Sequence, residues 1–144
     1  MSEIHFCVHG HFYQPPREDP FIGEIPTEYG AGSYSNWTER IFNECYLPNA
    51  QVGNFQKISF NIGPTLLAWM EKNHPETLKK IVGQANLVFQ RTGVSNAMVQ
   101  PYIHLIMPLA SPRDQNTVLH WAIKAFEGPV GSRPKGLRLQ ENAL

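Results

Sequence analysis

Hydrophobic and polar positions along the chain follow two periods. IHFCVH at 4–9 is mostly apolar and rich in β-formers, which predicts a short buried strand. ISFNI at 58–62, AMVQ at 97–100 and GLRLQ at 136–140 predict three more. Between them the apolar spacing lengthens to three and four residues, the period of an amphipathic helix. Asn36 followed by Glu39 reads as a capping pair opening a helix in which Trp37, Ile41 and Cys45 share a face before Pro48 ends it. Gly63-Pro64 opens a second helix with LLAWM as its buried face, and Pro75 restarts the pattern. Leu78, Ile81, Val82, Ala85, Val88 and Phe89 form the clearest stripe, with Gly93 just past its end. Asp114 is expected to cap a last helix, carrying Val118, Leu119, Ala122, Ile123 and Phe126, that Gly128-Pro129 terminates.

Strands alternating with amphipathic helices predict βα units and a mainly parallel α/β sheet, because parallel neighbours need crossover connections. After the first strand, residues 10–36 hold too many prolines and glycines for regular structure and predict a long loop, of the kind that serves as a lid or binding loop. The predicted strand tips carry His9 and His11, then Asn61, then Gln100 with His104 nearby, and finally Glu141. In parallel sheets and βα barrels the carboxyl ends of strands converge on one face, where ligands bind.

Composition narrows the setting. A chain of 144 residues that is 42% hydrophobic supports one domain spanning 1–144. Twelve basic residues balance twelve acidic ones, so no net field draws the surface to nucleic acid or to anionic lipid. No apolar run approaches the roughly 18 residues of a membrane span, and MSEIHF lacks the pattern of a secretory signal; a cytoplasmic location is expected. Cys7 and Cys45 lie far apart without a C-x-x-C pattern and are expected to be buried free thiols.

His9-x-His11 leaves three readings open. Period two points both rings to one side, as half of a metal site would require. Alternatively the rings hydrogen-bond sugar hydroxyls with Gln14 beside them, or are satisfied by backbone carbonyls. The later strand tips offer amides, one histidine and one glutamate, a poor supply of further metal ligands. A carboxylate among histidines, amides and aromatic rings suits sugar chemistry, where an oxocarbenium-like transition state needs a negative partner.

VHGHFYQPPRE resembles the first block of the family 57 glycoside hydrolases, which include α-amylases, amylopullulanases and 4-α-glucanotransferases, and closely resembles the branch written H-G-H-F-Y-Q-P-P-R. NWTERIFNECYLPNA and ISFNIGPTLLAWME are similar to the stretches that follow it there. GVSNAMVQPYIHLIMPLA resembles the second block and GLRLQENAL the third. The resemblance implies Glu141 as catalytic nucleophile, with His11, Gln14 and His104 arranging an α-glucan, no metal and no organic cofactor. It also implies the first half of an incomplete parallel (β/α)7-type barrel, the amino-terminal portion of a catalytic domain whose general acid lies in a later block. The pattern departs from the family at Val94, which replaces a histidine, and at Arg138 and Gln140, where tryptophan and proline are usual. A metal-dependent deacetylase or amidohydrolase using His9 and His11, or a non-catalytic carbohydrate-binding remnant, are the alternatives. An unpaired GLRLQ edge would favour self-association.

Overall fold

The computed structural model describes residues 3–143. In chain order the elements are β1 (His9–Phe12), α1 (Trp37–Ile41), a π-helical turn (Phe42–Tyr46), α2 (Leu47–Gln51), β2 (Ser59–Ile62), α3 (Pro64–Asn73), α4 (Pro75–Thr92), β3 (Ala97–Met98) and α5 (Pro112–Val130). Short 3-10 turns occupy Asn54–Gln56, Met107–Leu109 and Gln140–Asn142. The sheet is three-stranded and open, parallel throughout, in the order β1-β2-β3. The expected α/β class with parallel strands and helical crossovers is therefore present.

Strand alternation divides the sheet into two chemically different faces. His9 pairs with Ser59 and His11 with Asn61, while Phe12 pairs with Ile62. Phe60 and Phe12 therefore point to the side opposite the histidines. There Phe55 meets Phe12 at 5.1 Å and Phe60 at 4.9 Å between ring centroids. Leu66, Met70, Leu78, Ile81, Ala85, Ala122 and Phe126 complete this core from the helices. Each large side chain buried there contributes roughly 1.5–3 kcal/mol before ordering entropy is subtracted.

Several boundaries differ from expectation. The first strand starts at His9, not Ile4; Ile4 and Phe6 are more than nine-tenths exposed, because β2 begins only at Ser59 and offers no earlier partner. The helix opened by Asn36, whose side chain accepts from the Glu39 amide at 2.8 Å, buries Thr38, Phe42, Tyr46 and Ala50. Trp37, Ile41 and Cys45 flank that stripe, half-buried. The helix also runs through Pro48, since the π-turn widens the backbone just where the proline ring would otherwise meet a carbonyl one turn back. Phe89 lies off the stripe of α4, and Gly93 closes that helix in the left-handed conformation at φ 74°.

The cap of α5 is Ser111, not Asp114: its hydroxyl oxygen accepts from the Asp114 amide at 3.2 Å and donates to the Asp114 carboxylate at 2.8 Å. This helix passes Gly128-Pro129 and stops at Gly131. The expected third strand is reduced to Ala97–Met98, and the expected fourth to a single parallel bridge between Val99 and Leu137, with the 3-10 turn at Gln140 following directly. Cys7 is exposed and Cys45 half-buried, and both are free thiols. Among the described residues no helix is long and apolar enough to cross a membrane.

Candidate functional site

The polar face of the sheet is organised around Asn61, which is fully buried. Its Oδ1 lies 2.9 Å from His9 Nε2 and its Nδ2 lies 2.9 Å from His11 Nδ1, while Nδ2 also donates to Gln100 Oε1. His9 Nδ1 stands 2.9 Å from Ser59 Oγ. One proton arrangement satisfies this set: Ser59 donates to His9 Nδ1, His9 Nε2–H donates to Asn61, and Asn61 donates to His11 Nδ1. His11 then carries its proton on Nε2. Burial lowers the His11 pKa most, the Asn61 hydrogen bond opposes the change, and the Arg138 charge, followed by the neighbouring His104 and His9 rings, lowers it further. The ring is held neutral at physiological pH.

Period two continues past the end of β1 to Tyr13, whose ring is stacked on His11 at 6.1 Å and packs against His104 at 4.8 Å. Sequence reasoning missed Tyr13, although His9-x-His11-x-Tyr13 carried the signal. Gly63 makes room for it: a Cβ there would come within 2.7 Å of Tyr13 Cδ2 and 2.9 Å of Gln100 Nε2.

His104 comes from the irregular segment after β3, and its ring centroid lies 6.2 Å from that of His11. Its Nε2 stands 3.6 Å from Glu141 Oε1, an electrostatic neighbour rather than a hydrogen bond. Glu141 and Asn142 adopt φ 53° and 54°, left-handed values that asparagine tolerates but that cost a residue such as glutamate about 1–2 kcal/mol. The carboxylate of Glu141 is 67% exposed, so this group opens to solvent.

The structure thus brings His11, His104 and Glu141 together. It places Gln14 elsewhere: that side chain is buried and its amide nitrogen donates to Tyr46 Oη at 2.9 Å, while the backbone carbonyl of the same residue accepts from the Thr65 hydroxyl. Gln14 pins the start of the long loop to α3 and the π-turn. Two other carboxylates are occupied as well. Asp19 accepts from the Phe21 amide at 2.8 Å in a loop turn, and Asp114 is engaged at the start of α5. Among the described residues no group of three or more His, Cys, Asp or Glu side chains is arranged to hold a metal.

A separate cleft of about 760 Å³ lies between the long loop and the end of α3, lined by Glu18, Glu24, Glu39, Trp69, Lys72 and His74 among others. Within its wall His74 stacks on Phe42 at 3.7 Å between centroids. It contains none of the strand-tip residues. The chain matches no family model, no curated protein and no solved structure.

Proposed function

We propose that the chain is the amino-terminal portion of a retaining glycoside hydrolase of the family 57 type, cleaving or transferring α-glucosidic bonds of α-glucans. In this reading the open parallel sheet is the beginning of an incomplete (β/α)7 barrel and Glu141 is the nucleophile. The observation that supports it most is the placing of His104 Nε2 3.6 Å from Glu141 Oε1, with the His11 ring at 6.2 Å from that of His104. These residues are remote in sequence and meet at one side of the sheet. His11 and His104 offer hydrogen bonds to sugar hydroxyls, Tyr13 offers a ring surface for the sugar, and one Glu141 oxygen attacks the anomeric carbon.

The retaining reaction also needs a second carboxylate, about 5–5.5 Å from the first, to protonate the departing oxygen. No position matched to the family pattern supplies it, and Asp19 and Asp114 are held by backbone and cap. Turnover of natural glucans by these 144 residues is therefore expected to be weak or absent.

A substrate whose leaving group needs no proton separates nucleophile from acid. With 5-fluoro-α-glucosyl fluoride, Glu141 displaces fluoride and forms a glycosyl ester that is slow to hydrolyse. Peptide mass spectrometry should find one glycosyl adduct on Glu141, and none in Glu141→Gln. An unmodified wild-type chain, or an adduct elsewhere, would contradict the assignment. Glucan binding without any adduct would favour a non-catalytic carbohydrate-binding role.

A further inference from the structure

The polar face around Asn61 and Val99 is richer in positive charge and hydrogen-bond donors than a neutral sugar requires. Arg138 leaves the sheet beside Val99, its backbone amide donating to the Val99 carbonyl at 2.7 Å. It is half-buried, its guanidinium donates to the adjacent Leu139 carbonyl, and none of the ion pairs among the described residues includes it. Its charge is felt at His11, whose pKa it helps to lower after burial and the opposing Asn61 bond. A partly buried guanidinium with no counter-ion is costly, and an anion from outside relieves that cost.

Gln100 gives an independent sign. It is 1% exposed, its Oε1 is fixed as acceptor by Asn61, and its Nε2 has no acceptor in the protein among the described residues. That nitrogen sits beside Tyr13 over Gly63. A buried donor without an acceptor calls for a ligand or water oxygen. His11 Nε2–H, the Gln100 amide and Arg138 come from three separate segments. Such a spread of donors suits the three oxygens of a tetrahedral oxyanion better than a planar carboxylate.

We infer that Arg138, His11 and Gln100 form an oxyanion subsite on the polar face of the sheet that takes a phosphate group, carried by a phosphorylated sugar or supplied as free phosphate. The subsite stands on this geometry; its service to a sugar substrate rests on the glycoside hydrolase reading above. Arg138 is then the residue that sets specificity, since it alone of the three carries a fixed charge.

The test is calorimetric titration of the 144-residue chain at low ionic strength with inorganic phosphate, α-glucose 1-phosphate and maltose, repeated with Arg138→Gln and Arg138→Lys. Loss of one charge-assisted contact should weaken phosphate-group binding about tenfold or more in Arg138→Gln, and lysine should restore most of it. Maltose affinity should change less than about twofold, as expected of a contact made only to the anion. Glucose 1-phosphate binding well above inorganic phosphate identifies a sugar ester as the ligand, and equal binding identifies free phosphate. In the wild-type chain, phosphate should also shift the His11 ring resonances in NMR spectra, a readout independent of how any variant folds. No phosphate binding by the wild type, or equal binding by a folded Arg138→Gln, would overturn the subsite. A Glu141 adduct without phosphate binding removes the subsite alone; phosphate binding without an adduct removes the hydrolase reading alone.

Discussion

At Gly63 the backbone passes from β2 into α3 so closely to Tyr13 and Gln100 that no side chain fits. Its φ of −62° is open to any residue, so the constraint is space and not conformation. Gly63→Ala is expected to cost about 1–3 kcal/mol in urea denaturation, as overpacking does, and to move Tyr13 off His104; an unchanged midpoint would show that the two neighbours yield freely. His74 makes a different kind of contribution. Burial lowers its pKa, with Glu39 opposing, so below the ordinary value of 6.5 the unfolded chain takes up a proton before the folded chain does. This share of stability is full above that pH and is lost as pH falls. His74→Leu should therefore flatten the decline of the thermal midpoint between about pH 6.5 and pH 5, although His11, shifted in the same direction, still contributes. An identical acid slope in the variant would remove His74 from this role. At this scale the meeting of His11 and His104 with Glu141 was legible from residue type, although only His11 lies on a strand and Glu141 sits in a 3-10 turn. The inward turn of Gln14 was not, because its side-chain partner Tyr46 is brought to it only by packing.

Helix ends show where local pattern stops being sufficient. Asn36 and Gly93 terminate their helices as their residue types dictate, since the cap bond and the left-handed φ are properties of a few adjacent atoms. At α5 two capping residues compete three positions apart, and Ser111 prevails because Pro112 fits the first helical position, where its missing amide costs nothing. Ser111→Ala is expected to lower stability by about 0.5–2 kcal/mol in thermal unfolding, whereas a smaller loss than in Asp114→Ala would return the cap to Asp114. Pro48 misled for a related reason: a proline ends a regular helix, but the π-turn preceding it removes the clash. The stripe of α4 was legible from its period; that of the first helix shifted by one residue because Thr38 and Ala50 pack inward. The short strands could not be bounded from one sequence, since a strand extends only as far as its neighbour does.

Across the whole molecule, parallel pairing with helical crossovers followed from the alternation of periods, while the strand order β1-β2-β3 and the reduction of the fourth strand to one bridge at Leu137 did not. Among the described residues the sheet has an unpaired outer edge at β1, led by the exposed apolar residues Ile4, Phe6 and Val8, and at β3 an edge occupied only by the Val99–Leu137 bridge. Such edges pair with other chains. Sedimentation velocity should show weight-average mass rising with protein concentration, and a monomer at all concentrations would show that the edges are protected. The polar face between those edges carries the functional reading, and an alternative location exists in the cleft beside Trp69 and His74. Titrating the chain with maltoheptaose while following histidine and tryptophan side-chain resonances by NMR distinguishes them directly. Binding at the strand tips shifts His11 and His104, and Glu141→Gln alters those shifts. Movement confined to Trp69 and His74, or no response at any of these rings, would contradict a glucan site at Glu141.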